Sequence, residues 1–521
     1  MKRALYHFLA ATSASIAFSA PAAVFAGIDL QGLTREDQVV VTSGARLEGF
    51  EGAAISRMRL FAFSTETLSY APIPFQVDER IDRLFTENTP LPFRETIYDV
   101  VGEDDGLLDA DDELVFRFGD GGSRAPAEVP WPAGAEVRRV EIEARDPRPG
   151  ANSVVWVYLF AGDELPSNPT RYIEWSGGVS DAISTSRYQL EYEGPWLLTG
   201  LRISAPCGDG SDVLDRVKGR ARPLPNLQED EEGWNTNASY LGGIAGPIRA
   251  IRYVRGATSG VNTLHHDIAT PSQWTRRVNL RVHPLAEARL YLDFLPEPGA
   301  RLFFETVPNG VVVDGAPDAG VPSTMPGWSL FRGGGGGLVT VFETPPSPKY
   351  TGPVFFYRDD ASYDDRVPTN PDYGDDDDSS FGAHGLVISA TQDSNLDPIR
   401  LGWSWYPICA GDGDAALGEA VQAIEESPFE TTVVPQWAEL AAIRDLEITE
   451  ESGDLVLRWS SVASATAYRV FRSLDPSLPL ESWEPIAEVS VPLYRRPAGQ
   501  ISVVTSFYSV VAINGGGVGP W

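Results

Sequence analysis

The segment VGEDDGLLDADDELVFRFGDGG, residues 101–122, places an acidic loop directly before a strand-like run. In ELVFRF (113–118) the apolar residues Leu114, Phe116 and Phe118 share one face, and the charged residues Glu113 and Arg117 lie on the other. Because successive side chains of an extended chain point to opposite faces, this alternation is typical of a half-buried strand. We therefore expect the acidic loop to be an entry turn of a β domain.

The remainder of the chain repeats this pattern between turns rich in Gly, Pro, Asn and Asp, and the sequence contains 50 Gly and 41 Pro. One helix is predicted at 414–426 (DAALGEAVQAIEE). The sequence therefore predicts an all-β chain of antiparallel β-sandwiches. Typical predicted strands are RRVEIEAR (138–145), SVVWVYLFA (153–161), RRVNLRVHP (276–284), ARLYLDFL (288–295) and LVTVFET (338–344).

The chain has 521 residues, too many for one hydrophobic core, so two to four domains are expected. Changes in composition place the boundaries between a leader, two β domains, a linker and a last domain. The predicted segments are a signal peptide at 1–26, an N-terminal β-sandwich-like domain with the acidic loop at 27–165, a large antiparallel β domain at 166–427, a linker at 428–443 and a C-terminal domain at 444–521.

The first residues are typical of a secretory signal peptide. Lys2 and Arg3 precede an apolar run at 4–20, and a small-x-small site ends at Ala26. We expect the protein to be secreted, periplasmic or at the cell surface. No later run approaches the ~20 apolar residues of a membrane span. The formal net charge of −32 disfavours nucleic acid and anionic lipid as partners.

The last 80 or so residues carry a more specific pattern. LVLRW (455–459) ends in a core-type tryptophan, AYRVFR (467–472) contains Tyr468, and SFYSVVAIN (506–514) contains Tyr508. Segment 444–521 resembles a fibronectin type III domain, a resemblance that implies a sandwich with Tyr508 as its tyrosine corner.

The C-terminal end departs from that family. GVGPW (517–521) stands where the last strand begins, so this strand is expected to be missing or very short. An exposed sheet edge would result, and such an edge can pair with another strand. Exchange of strands within a surface assembly is therefore one open interpretation.

Calcium is the cation that the acidic loop favours. Calcium loops use oxygen ligands at positions 1, 3, 5, 7, 9 and 12, with glycine at position 6. With Gly106 at position 6, position 1 is Val101, which cannot ligate. The loop resembles those of dockerin-like and thrombospondin-type-3-like calcium modules, and a solvated acidic turn is the alternative. The predicted ligands at positions 3 to 12 are Glu103, Asp105, Leu107 (through its carbonyl), Asp109 and Asp112.

Other candidate sites are weaker. Cys207 and Cys409 are expected to form a disulfide in an oxidising compartment, with two separate buried thiols as the alternative. The acidic stretch 359–378 is expected to be a solvated loop, with a loose metal site as the alternative. Residues 333–337, five consecutive glycines, predict a flexible turn at a loop tip.

Aromatic and histidine residues give two further hypotheses. Trp234, in the polar context EDEEGWNTN, is the best candidate for an exposed tryptophan that stacks on a sugar ring. His265 and His266 are adjacent, so on a strand they would point to opposite faces and could not share a metal. The sequence has no HExxH or GxSxG motif, so no catalytic residues are assigned.

Two broader resemblances complete the expectations. The combination of PIPFQVDE (72–79), LLDADDELVF (107–116) and WVYLFA (156–161) resembles uncharacterised exported bacterial β-sandwich proteins. Residues 246–285 (GPIRAIRYVRGATSG to RRVNLRVHPL) faintly resemble the sandwiches of mutarotase-like and polysaccharide-processing proteins.

These observations lead to two expectations for function. The first is an exported, non-catalytic binding or structural protein that is stabilised by calcium and contacts another surface protein. The alternative is a carbohydrate-active protein, either a hydrolase, a lyase or a sugar-binding sandwich, that acts on or binds polysaccharide.

Overall fold

The computed structural model of the chain describes residues 34–521 except 87–91, 225–226, 257–262, 282–284, 365–378, 390, 392–397, 410–413, 438–439, 501–504, 515–516 and 519–521. The predicted signal peptide at 1–26 lies outside the described residues. Nearly all regular structure is antiparallel strand, and the predicted all-β, multidomain sandwich architecture is confirmed. No helix among the described residues is long and apolar enough to cross a membrane.

The first part of the chain forms nine strands. They are β1 (Val39–Ser43), β2 (Met58–Ser64), β3 (Ser69–Pro72), β4 (Gln76–Asp78), β5 (Arg80–Phe85), β6 (Phe93–Tyr98), β7 (Glu113–Arg117), β8 (Arg138–Arg145) and β9 (Val154–Ala161).

The middle of the chain forms eighteen strands and two α-helices. They are β10 (Ile173–Glu174), β11 (Ala182–Thr185), β12 (Tyr188–Glu193), β13 (Leu197–Ile203), β14 (Leu214–Leu224), β15 (Leu227–Asp230), α1 (Glu231–Asn237), β16 (Ser239–Ala245), β17 (Ala250–Arg255), β18 (Leu264–Ala269), β19 (Trp274–Leu280), β20 (Glu287–Phe294), β21 (Arg301–Phe304), β22 (Val307–Val312), β23 (Trp328–Gly333), β24 (Gly336–Glu343), β25 (Thr351–Asp360), β26 (Ser380–Ser389), β27 (Ile399–Ile408) and α2 (Asp414–Glu425).

The last part of the chain adds eight strands. They are β28 (Glu430–Trp437), β29 (Glu447–Glu451), β30 (Asp454–Arg458), β31 (Ala467–Ser473), β32 (Glu484–Val489), β33 (Leu493–Arg496), β34 (Phe507–Asn514) and β35 (Gly517–Val518). Short 3-10 helices cover Arg35–Asp37, Gly44–Arg46, Ile55–Arg57, Phe118–Asp120, Leu480–Ser482 and Ala498–Gln500.

The N-terminal sandwich packs a three-stranded sheet, β1-β7-β4, against a five-stranded sheet, β28-β8-β9-β2-β3. Its core includes Leu114, Phe116 and Phe118, the apolar face predicted for the strand after the acidic loop. The edge strand β28 was not predicted. Residues 430–437 pair with all of β8, so the prediction of a linker at 428–443 is wrong over this stretch. The linker prediction failed because Pro435 suggested irregular chain, whereas an edge strand tolerates proline.

The large domain packs a nine-stranded sheet, β16-β17-β18-β19-β27-β24-β23-β21-β22, against a five-stranded sheet, β15-β14-β20-β26-β25. A separate four-stranded sheet, β10-β11-β12-β13, contributes to the same core. The predicted helix is confirmed as α2, and its apolar side chains Leu417, Val421 and Ile424 cover the outer face of the nine-stranded sheet.

A β-hairpin of the N-terminal sandwich domain contacts the large domain. Among the described strands, β5 and β6 pair with each other and with no third strand. Their side chains Phe85, Phe93 and Ile97 pack with Ile251 and Tyr253 on the outer face of the nine-stranded sheet. The acidic loop follows β6 directly, so it begins at this contact between domains.

The five-glycine run is not a free loop tip. Gly333 and Gly336 close the hairpin of β23 and β24, and Gly335 donates its N–H to Glu297 Oε1 at 2.9 Å. A Cβ on Gly208 would lie 2.2 Å from the carbonyl oxygen of Gly335. The predicted turn is confirmed as the hairpin turn between β23 and β24, but it packs against a neighbouring loop, because the glycines let two backbones come into contact.

A disulfide lies next to the contact between Gly208 and Gly335. Cys207 and Cys409 are bonded to each other across a sequence separation of 202 residues. The bond ties the loop after β13 to the end of β27.

The C-terminal domain places β29-β30-β33 in one sheet and β32-β31-β34-β35 in a second. Trp459, Tyr468 and Val510 lie in the core between them. The last strand within the described residues, β35, has two residues and pairs with the end of β34.

The dependence of the N-terminal sandwich on β28 can be tested with two adjacent valines. Val433 packs against the sandwich core, whereas Val434 is 40% exposed. We expect Val433→Asp to lower the free energy of unfolding by about 2 kcal/mol or more, because a carboxylate replaces buried apolar surface. Val434→Asp should change it by less than about 0.5 kcal/mol. Urea unfolding measures both, and equal effects of the two variants would contradict the role of β28.

Candidate cation-binding site

The acidic loop connects β6 to β7, and it folds back over the junction between β4 and β5. Asp78 ends β4, Arg80 begins β5, and Glu79 lies between these two strands. The junction and the loop are adjacent because β4 and β7 are neighbours in the three-stranded sheet. This pairing brings Glu79 to the loop although 25 or so residues separate it from the acidic run.

The first half of the loop is shaped by Asp99. Its Oδ1 accepts the N–H groups of Val101 at 3.3 Å and Glu103 at 3.0 Å, and its Oδ2 accepts that of Asp104 at 3.0 Å. Burial raises the pKa of Asp99, but these backbone donors outweigh it, and the net pKa lies below the usual value. Gly102 has φ of 71°, a left-handed conformation that glycine adopts without strain.

The second half is held by Asp112, which is fully buried. Its Oδ1 accepts the N–H of Arg80 at 2.9 Å, and its Oδ2 accepts that of Asp109 at 2.7 Å. Burial is the largest cause that raises its pKa to about 6, and the nearby carboxylates of Asp104 and Asp109 add to the effect. Asp112 therefore fixes the end of the loop to the start of β5.

Three carboxylates converge between these two halves. One oxygen each from Glu79, Asp104 and Asp105 lie within 4.8 Å of one another, the one such group among the described residues. Glu79 Oε1 also accepts the N–H of Gly106 at 2.8 Å. Burial raises the pKa of Glu79, and the negative charge of Asp104 raises it further. A hard divalent cation would neutralise this charge with the oxygen ligands that it prefers.

The three-carboxylate group differs from the predicted ligand set, which stays a prediction. Of the five predicted residues, Asp105 alone belongs to the three-carboxylate group. Glu103 instead lies 3.7 Å from the guanidinium of Arg83. Asp112 uses both oxygens on backbone N–H groups.

Asp109 also lies outside the group, and Leu107, predicted to ligate through its backbone carbonyl, has no side-chain oxygen that could join it. The loop is followed by a strand and closes on the β4–β5 junction, so the three-carboxylate group differs from the set that the Gly106-based register predicts. Glu79 and Asp104 were not among the predicted ligands. PIPFQVDERID (72–82) was the available signal for Glu79, since it places acids at the end of a strand.

Trp234 is not exposed. Its side chain is 7% exposed and packs edge-to-face on Trp196 with ring centroids 5.1 Å apart. The predicted sugar-stacking position is therefore wrong. The indole lies on Gly219, where a Cβ would come within 1.9 Å of its six-membered ring. Of the eight tryptophans between 156 and 405, seven are buried and Trp156 is half-buried.

The histidine pair lies on β18, and its two side chains occupy opposite faces of the sheet. His265 is buried in the core beside Trp196, with ring centroids 6.0 Å apart. His266 stacks on Tyr253 on the other face at 4.9 Å. The two rings are separated by the sheet and do not form a shared site.

The second acidic stretch, 359–378, falls mostly outside the described residues. Its first member, Asp359, is 2% exposed and accepts the backbone N–H groups of Asp314, Gly315 and Gly382. Asp359 is thus a structural residue that joins the end of β25 to the start of β26. Residues 365–378, including the run of four aspartates, lie outside the described residues.

A scan against protein-family models found no match to this chain, and a search of curated proteins found none either.

The buried carboxyl of Asp112 predicts a pH dependence of stability. Its pKa is raised from 3.8 to about 6 by folding, so the folded chain binds more protons between these values than the unfolded chain does. Ionisation of Asp112 therefore lowers stability as the pH rises through this window, and the stabilisation is present at lower pH. In EDTA, the free energy of unfolding of the wild type should fall as the pH rises from 4 to 7. We expect Asp112→Asn to remove this fall, measured by urea unfolding at each pH.

The control for this prediction is Asp111→Asn. This variant removes one negative charge from the exposed neighbouring position of the same loop. If the two variants change the slope equally, general repulsion within the loop, and not the burial of Asp112, is responsible.

Proposed function

We propose that this chain is an exported, non-catalytic binding or structural protein in which calcium pins the acidic loop between its first two domains. The observation that carries the proposal is the group formed by Glu79, Asp104 and Asp105. Three oxygens supply part of the six to eight that Ca²⁺ takes, and backbone carbonyls and water would supply the rest. Fluids outside the cell hold millimolar calcium, so a site of about 10⁻⁴–10⁻³ M affinity would be filled.

The position of the loop supports a structural role for the ion. Glu113 follows Asp112 directly and pairs with Arg249 of the large domain. Arg249 is 4% exposed and also pairs with Asp78, which precedes Glu79. Glu79 of the proposed calcium site and Asp112 at the end of the acidic loop are thus each one residue away from a carboxylate of this buried ion pair between domains. An ion that orders the loop would also order these carboxylates.

Several buried polar side chains of the large domain pair with each other inside the core. Asp293 pairs with Lys218 at 2.9 Å, and both side chains are almost fully buried. His384 is fully buried, and its Nε2 lies 2.7 Å from Ser329 Oγ across the two large sheets. These pairs stand in well-packed cores, whereas catalytic groups need access to a substrate. In the described residues these groups therefore serve packing.

Two features support export and a modular C-terminus. The bond between Cys207 and Cys409 is of a type that persists in oxidising compartments. The three-plus-four arrangement of β29–β35, with Trp459 against Tyr468, supports the resemblance of 444–521 to fibronectin type III domains. Such a domain would act as a spacer or as an adhesion unit that contacts another surface protein.

The carbohydrate alternative has lost its residue-level support, because Trp234 and most other tryptophans are buried. We expect no binding to, and no degradation of, a panel of neutral and acidic polysaccharides by the full chain. Pull-down with insoluble polysaccharide and reducing-sugar release measure this. Retention on one polysaccharide, competed by its soluble oligosaccharide, would restore the alternative.

The calcium proposal predicts a thermal shift. At 10 mM Ca²⁺ and a dissociation constant of about 1 mM, binding adds about 1.4 kcal/mol to the stability of the folded state. We expect Tm of the first transition to rise by roughly 2–5 °C relative to EDTA, measured by scanning calorimetry. The double variant Asp104→Asn/Asp105→Asn should abolish this rise.

Two further variants sharpen the test. Asp111→Asn is the matched control, since Asp111 lies in the same loop outside the three-carboxylate group, and it should keep the rise. Asp109→Asn distinguishes the observed group from the Gly106-based register and should also keep it. A wild type with no calcium-dependent shift, or an equal loss in all variants, would refute the proposal.

A further inference from the structure

Lys218 and Asp293 form a buried ion pair across two neighbouring strands of the large domain. The side chain of Lys218, on β14, is 2% exposed, that of Asp293, on β20, is 3% exposed, and Lys218 Nζ lies 2.9 Å from Asp293 Oδ2. Lys218 is in register with Tyr291, two residues before Asp293, so both side chains lie on the same face of the five-stranded sheet. A bond between them would therefore join β14 to β20.

The choice of lysine at this position is unusual for the chain. Lysine provides three of the 41 basic residues, at positions 2, 218 and 349. Other buried ion pairs of the described large domain use arginine, such as that of Arg220 with Glu231. Arginine keeps its proton in proteins, whereas the amine of lysine can lose its proton and attack a carbonyl carbon. Lys218 is therefore a nucleophile at a position where arginine would serve an ion pair alone.

The carboxyl group of Asp293 is held and polarised by four donors. Its Oδ1 accepts the backbone N–H groups of Phe294 at 3.0 Å and Phe381 at 2.9 Å. Its Oδ2 accepts the hydroxyl of Ser380 at 3.2 Å and the ammonium of Lys218. Two N–H groups aimed at one oxygen stabilise the negative charge that develops on it when a nucleophile attacks the adjoining carbon. Oδ1 is thus placed to carry that charge, and Oδ2 is the oxygen beside the amine.

A second carboxylate lies beside the same amine. Asp215 Oδ2 is 3.5 Å from Lys218 Nζ, and the Asp215 side chain is 30% exposed. Residues three apart on a regular strand point to opposite faces, but the register of β14 against β20 shifts between Leu214 and Arg216. This bulge turns Asp215 toward Lys218. Asp215 is therefore placed to accept a proton from the amine.

The buried position also favours the uncharged forms of the pair. Burial is the largest cause that raises the pKa of Asp293, and the charge of Lys218 opposes it only in part. Because ionised groups are costly in a buried site, proton transfer from Lys218 to Asp293 exchanges two charges for a neutral amine and a carboxylic acid. These are the reactive forms for amide formation. Both reactants belong to the chain, so the reaction needs no access for a substrate.

We propose that Lys218 and Asp293 condense spontaneously into an intramolecular isopeptide bond. One proton passes from the ammonium to Asp293 Oδ2, and Lys218 Nζ then attacks Cγ of Asp293. The new N–C bond forms, and a second proton passes from the nitrogen through Asp215 to Oδ2. The Cγ–Oδ2 bond breaks and this oxygen leaves as water, so ammonium and carboxylate become one amide and one water with no other reagent. The bond ties β14 to β20 and does not depend on calcium.

Peptide mass spectrometry of the full chain tests the proposal, after reduction of the disulfide and digestion with trypsin. Trypsin does not cleave at an acylated lysine, so residues 217–220 (VKGR) should stay whole and be joined to residues 290–301 (LYLDFLPEPGAR). We expect this branched peptide to have a mass about 18 Da below the sum of the two peptides, because one water is lost. Fragment ions should place the bond between Lys218 and Asp293.

Matched variants assign the two roles. Lys218→Arg keeps the positive charge and should abolish the branched peptide, whereas Lys349→Arg makes the same change at the other lysine of the described chain and should retain it. Asp215→Asn should slow the appearance of the branched peptide after synthesis by about 100-fold, since a general base is removed. Glu232→Gln removes another carboxylate that pairs with Arg216 and should leave the rate unchanged.

The wild type decides the proposal without any variant. Recovery of residues 217–220 only as the separate dipeptides VK and GR would overturn it, and so would a branched peptide that persists in Lys218→Arg. Equal rates in Asp215→Asn and wild type would overturn the role assigned to Asp215. None of these outcomes bears on the proposed calcium site.

Discussion

Arg249 makes the ion pair on which the junction of the first two domains depends. Arg249 directly precedes β17 of the nine-stranded sheet. Its guanidinium pairs with two carboxylates of the N-terminal sandwich, those of Asp78 and Glu113. Burial alone would lower its pKa, but these carboxylates more than reverse that effect and raise it. Gln76 completes the contact by accepting the N–H groups of Ile248 and Arg249. Loss of one member of such a group strands a buried charge, which is strongly destabilising.

The remaining architecture is arranged around this junction. The hairpin of β5 and β6 covers the outer face of the nine-stranded sheet, and β28 returns from the large domain to complete the N-terminal sandwich. The chain therefore crosses between the two domains twice, once before β10 and once after α2. The acidic loop lies at the same junction, so neutralisation of its charge and attachment of the two domains are expected to be linked.

The sequence predicted those strands and helices whose own apolar residues form a regular pattern. The alternation of Leu114, Phe116 and Phe118 located β7, and the helical period of 414–426 located α2. The other features depend on pairing between strands that are far apart in the sequence, which local patterns do not predict. Strand β28 is an edge strand whose partner lies nearly 300 residues earlier, and Glu79 joins Asp104 only because β4 lies beside β7. Trp234 is buried because Gly219 has no side chain, a fact absent from its polar local sequence.

The central claim is that Glu79, Asp104 and Asp105 bind one calcium ion at the junction of the domains. A crystal structure of the protein grown with millimolar calcium tests it most directly. We expect a single ion with Ca–O distances of about 2.3–2.6 Å to oxygens of these three residues, with the ion pairs of Arg249 intact. Ordered density for all three side chains with only water between them, or an ion held instead by Asp109 and Asp112, would contradict it.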